Sequence, residues 1–265
     1  MGRTRSTWNS KGIWFAGAAL AAVLALSGYA LFSGDGDGGD TAGKAGASSS
    51  ASADPGPSES YAAPEDWTEP ERWVALPRGK RTDERGSEVA FPHTTEGAVA
   101  MAAAANTTTV EGERTNVDEQ LRLYHGYIGQ AEQSADAAER VELAAIDSDK
   151  AIARSMGVTP GQPLPAGAYV RSTVVGFKVV KESADEVGVF LLSRVVQKGG
   201  ETAEEKASFS RTLIGAQWQG TDWKLSVPAT RRAQEAAQGQ PEPTMAAPGD
   251  AGFNGAGWTA IREAS

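Results

Sequence analysis

The hydrophobic period of this chain changes near residue 168, and that change limits the folds open to it more than any other feature. Residues 169 to 180, 187 to 197 and 209 to 218 are rich in β-branched and aromatic side chains, as strands are. Gln219, Gly220, Thr221 and Asp222 read as a turn between Trp218 and Trp223, so residues 223 to 227 complete a hairpin. The connections are too short for crossover helices, which makes the strands antiparallel, about four of them.

Before residue 168 the signals are helical. Pro92, a Thr cap at 94 or 95 and Glu96 open an Ala-rich helix that runs to about Ala105. Asn116, with Glu119 three positions on, starts a second helix whose buried face is Val117, Leu121, Tyr124 and Ile128. A third runs from near Ser134 to Met156, with Ala138, Val141, Ala145 and Ile152 inward and Gly157 as its stop. Helices first and an antiparallel meander second predict an α+β domain over residues 67 to 228, about three helices packed on one face of a curved sheet. Residues 73 to 77 read as an arm or edge strand.

The rest of the chain is expected to lie outside that core. Residues 13 to 32 carry no charge, and 20 residues in a helix span roughly 30 Å, one crossing of a bilayer. Trp14 and Tyr29 stand near the two ends, and the basic residues 1 to 12 precede the span, so the N-terminus is expected in the cytoplasm and the remainder outside a cell membrane. A cleaved signal peptide is the rival reading, with Gly28, Tyr29 and Ala30 as its small-x-small site, and it exports the same domain. Residues 33 to 66 hold 24 Gly, Ala, Ser or Pro out of 34 and read as a disordered spacer. Residues 229 to 265 read as a mostly disordered tail, in which Phe253, Trp258 and Ile261 mark a docking segment over 253 to 262, in cis or on another subunit.

Composition excludes much chemistry. With no Cys there are no disulfides, thiolate nucleophiles or Cys-based metal sites, and His93 and His125 are the only imidazoles. No metal or cofactor is expected. A net charge of -9 and a pI near 4.9 give no general attraction for nucleic acid. His93 reads as a capping or solvent-facing residue, His125 as a partly buried structural one, and Asp147 and Asp149 as a solvated helix surface, so no catalytic residue is assigned. Trp218 and Trp223, flanking a turn, are read as core and edge packing or, if exposed, as a partner surface; with the three tail residues they are the candidate interaction residues.

Phe91-Pro92-His93-Thr94-Thr95-Glu96-Gly97-Ala98-Val99-Ala100 is similar to a P-x-T-x-x-G-A-x-A helix opening. With the hairpin at 218 to 225 and the ending at 257 to 263, it resembles membrane proteins of actinobacterial integrative and conjugative elements. That group resembles in turn the periplasmic assembly subunits of type IV secretion systems, in the nuclear transport factor two superfamily. The resemblance implies a cone of helices wrapped by the sheet and a scaffold without an active site, contacting other membrane or secretion-apparatus proteins and further copies of itself. The alternative is an extracytoplasmic ligand-binding or isomerase-like pocket domain, for which Asp147, Tyr169 and His125 are the residues to test.

Overall fold

The computed structural model describes residues 67 to 262, and the expected span at 13 to 32 and spacer at 33 to 66 lie outside them. Within that range the protein is α+β, with helices flanking a curved, mainly antiparallel sheet. No helix among the described residues is long and apolar enough to cross a membrane.

The three expected helices form where their caps stand. Helix α1 (Thr95–Ala105) begins at Thr94, whose hydroxyl accepts from the Gly97 N–H. Helix α2 (Asn116–Tyr127) begins with a reciprocal box between Thr115 and Asp118, one residue earlier than the Asn116 cap the sequence suggested. Helix α3 (Ala135–Ser155) is capped by Ser134. The buried faces are rotated from the sequence reading. On α2, Asn116, Glu119, Gln120, Tyr124 and Tyr127 turn inward while Val117 and Leu121 are only half-buried. On α3, Ala137 replaces Ala138.

The sheet is larger than expected. Strands β1 (Trp73–Ala75), β4 (Thr108–Glu111), β5 (Ala168–Glu182), β6 (Glu186–Gly199), β7 (Lys206–Gln219), β8 (Asp222–Leu225) and β9 (Thr259–Arg262) join it, and β2 (Arg81–Thr82) pairs with β3 (Glu88–Val89) in a separate hairpin. The predicted meander is β5 to β8. Beyond it, β4 takes one half of the β5 edge and β9 the other, and β1 adds to β9 in parallel. Register shifts in β5 between Val174 and Gly176 and between Val179 and Lys181 bend the strand, as bulges do.

Two corrections concern what covers the sheet. Helices were expected on one face, yet from Val187 to Ser193 β6 is buried without interruption. Alternate burial marks a sheet with one wet face, and continuous burial means both are covered. Val187, Val189 and Leu191 meet α1 to α3 on the inner face. Phe190 and Leu192 meet the C-terminal segment on the outer face, in a cluster with Ala246, Phe253, Trp258 and Ala260.

The second correction is that residues 229 to 262 are not a disordered tail. Helix α4 (Val227–Ala237) is capped by Ser226 and carries a Pro in its first turn, a helix start that the sequence reading passed over. It lies so close to the sheet that a Cβ on Gly188 would come 2.5 Å from that of Ala233, and one on Gly215 would overlap the backbone of Ala229 and Thr230. The chain then crosses the outer face, forms α5 (Ala251–Gly255) and returns as β9.

Candidate functional site

The hairpin that carries two of the candidate interaction residues organises the most distinctive surface of the domain. Trp218 and Trp223 are cross-strand partners on β7 and β8, with rings 5.5 Å apart and edge to face. Trp223 is fully buried and donates its indole N–H to the Pro92 carbonyl at 2.9 Å. Beside it, the buried carboxylate of Asp222 accepts from the Phe91 N–H at 3.0 Å and pairs with Lys224. Ala90 turns the chain into that anchor with φ of 63°, a left-handed conformation that a non-glycine residue holds only when its surroundings demand it.

Anchored in this way, the 90 to 93 segment lays His93 flat on Trp218, with ring centroids 3.9 Å apart and an interplanar angle of 9°. Asp185, in the turn between β5 and β6, meets His93 Nε2 at 2.9 Å, and its carbonyl accepts from the Trp218 N–H. Thr95, at the start of α1, donates to Glu182 alongside. The imidazole is 41% exposed. This arrangement can present an aromatic, hydrogen-bonding face to a protein surface. His93 is thus neither the helix cap, which is Thr94, nor merely solvent-facing.

The three tail residues are used within the chain. The Phe253 ring lies over Gly176, Trp258 donates its indole N–H to the Thr244 carbonyl at 2.8 Å, and both side chains are sealed from solvent. Ile261, on β9, is half-buried opposite Val74. Phe253 and Trp258 cover the face of the sheet opposite the cluster that holds Trp223 and takes Trp218, whereas Ile261 packs against that inner cluster from the β9 side.

A second polar cluster lies under α2. Glu119 is 1% exposed and bonded to Arg122, Arg114 and the Thr109 N–H. Tyr127, close by, has its phenol pushed up to about 12 by burial. Neighbouring Asp149 is half-buried, and its two carboxylate oxygens accept from the Asn116 and Val117 N–H groups, tying α3 to the start of α2. Burial raises its pKa, and those two bonds pull it back only in part. The reading of Asp147 and Asp149 as solvated therefore holds for Asp147, which pairs with Lys150, and fails for Asp149. His125 sits half-buried at the edge of the Tyr124 ring, and Tyr169 bonds to Glu205 on the surface. Asp147, Tyr169 and His125 do not converge. Among the described residues no three His, Asp or Glu side chains are grouped to hold a metal ion.

Sequence reasoning missed Asp185, Asp149 and Glu119 as partners. Asp185 was legible only as a turn charge, because nothing local connects it to His93. For Glu119 the apolar pattern pointed the wrong way, since it stands two positions from both Val117 and Leu121 and so on the side of α2 that the pattern turned outward. Compared with known proteins, the chain matches no family model, no curated protein and no solved structure.

Proposed function

We propose that the chain is a single-pass membrane protein whose outer domain is a scaffold in a conjugation or type IV secretion-like apparatus, working through protein–protein contacts. The observation that carries this reading is the use of the space between helices and sheet. A domain that binds or converts a small molecule keeps a cavity there, lined by a few convergent polar groups. Here Met101, Tyr127, Leu191, Ile214 and Trp223 fill it, each 1% exposed or less.

Residues 13 to 32 are the anchor in this proposal, residues 33 to 66 the spacer, and the N-terminus is cytoplasmic. The resemblance to cone-shaped assembly domains of the nuclear transport factor two superfamily supports the same role, and the His93, Trp218 and Asp185 face is its contact surface. Aromatic side chains of this kind dominate binding energy at protein interfaces.

A photoreactive residue at position 218 of the full chain, crosslinked in living cells, tests the proposal. Adducts with a channel or translocase subunit of one transfer apparatus are the expected result. A chain that gives no protein adduct from this position and co-purifies with no transfer component overturns it.

A further inference from the structure

Strand β7 is bordered by β6 from Lys206 to Gln217, but on its other side β8 reaches only from Ala216 to Gln219. Gly215 is also occupied: its N–H donates to Thr230 Oγ1 and its carbonyl accepts from the Ser226 N–H. These bonds fix which backbone groups point away from β6. The β6–β7 register has no bulge, so Leu213, Arg211, Phe209 and Ala207 turn their N–H and C=O groups the same way as Gly215. Among the described residues these groups have no hydrogen-bond partner, and no strand lies beside them. An open edge of this length is a template for another strand.

We propose that this edge is an interface between two copies of the chain, paired antiparallel through residues 207 to 213 about a two-fold axis at Ser210. The open stretch is its own complement. Its midpoint is Ser210, whose hydroxyl is buried and has no hydrogen-bond partner among the described residues. In the two-fold pairing the two Ser210 residues form a non-hydrogen-bonded pair, with Cα atoms about 4.5 Å apart, close enough for their hydroxyls to bond.

The remaining pairs also fit. Ala207 faces Leu213, Ser208 faces Thr212, and Phe209 faces the stem of Arg211, whose head is held by Glu242 and the Pro243 carbonyl. No like charges oppose one another. Just outside the pairing, exposed Glu204 of each copy comes beside the start of α4 of the other, whose first turn has no acid to complement its dipole. A symmetric contact of this kind closes on itself, which ends the exposure of the edge. The proposal stands on the strand alone and is independent of the assembly role.

The absence of Cys makes the test direct. In the full chain, oxidised in cells and run on a non-reducing gel, Ser210→Cys is expected to give a disulfide-linked dimer, since the proposed Cα separation lies within disulfide range. Ser208→Cys alone, four residues out of register with its own copy, is expected to stay monomeric, and co-expression of Ser208→Cys with Thr212→Cys chains is expected to restore the crosslink. Ser210→Cys chains that remain monomeric, that link no more than Ser208→Cys, or that link only to a different protein overturn the proposal.

Discussion

Truncating Trp258 tests whether the C-terminal segment is a structural part of the sheet. Its side chain is 1% exposed and bonded through the indole N–H to the Thr244 carbonyl. A buried Trp removes on the order of 150–250 Å² from water, which at about 25 cal/mol per Å² is about 4–6 kcal/mol. Measured Trp-to-Ala costs of about 3–5 kcal/mol agree with that range. Because Trp258 directly precedes β9, and β9 joins β1 to β5, its loss also releases β1. We expect Trp258→Ala to lower the unfolding free energy of the chain by about 4 kcal/mol, about a quarter or more of what a domain of this kind commonly has. Trp258→Phe, which keeps a ring but leaves the Thr244 carbonyl unbonded, is expected to cost about 1–2 kcal/mol. Urea unfolding followed by far-UV circular dichroism gives both values, and limited proteolysis should show new cleavage between residues 238 and 250 in the Ala variant. An Ala variant within about 0.5 kcal/mol of the parent, with unchanged cleavage, would refute the reasoning, since surface substitutions commonly lie in that range.

Other substitutions probe separate contacts. Gly215→Ala forces the start of α4 off the sheet and is expected to cost about 1–3 kcal/mol by thermal unfolding, with faster amide exchange across α4. Glu119→Ala leaves the Arg122 guanidinium, 12% exposed, without a carboxylate and is expected to cost about 3–5 kcal/mol in the same measurement. Glu186 is held below its ordinary 4.5 chiefly by hydrogen bonding to Arg232 and then to Lys181. Its contribution is present above pH 4.5 and is lost as the pH falls through the lowered folded value. Glu186→Gln is therefore expected to cost about 1–2 kcal/mol at pH 7, and the difference from the parent should shrink as the pH is taken below 4.5. A difference that stays constant down to acid pH would count against that ion pair.

Much of the inner half of the domain was legible in the sequence. Thr94, Ser134 and the turn at Gly220 are local signals, and helices and strands begin and end within a few residues of them because capping and turn chemistry act over a few residues. The buried run from Val187 to Leu192 was also legible, but it was read as a strand and not as a strand covered on both faces. Of the candidate surface, the two tryptophans were found and Asp185 was not, because its partner His93 lies on a distant segment and only folding brings them together.

The sequence by itself determined the helix-then-meander order, the strands β5 to β8, and the lack of cysteine chemistry, all of which depend on composition or on neighbours along the chain. Only the tertiary structure decided the fate of residues 229 to 262. That segment is rich in Ala, Gln, Pro and Gly, and few large apolar groups argue for order. Phe253 and Trp258 nonetheless find a complementary outer face on β5 and β6, and β9 finds open edges on β1 and β5. Burial is a property of the surface a residue meets, and for the tail that surface is built by strands encoded some 60 to 80 residues earlier.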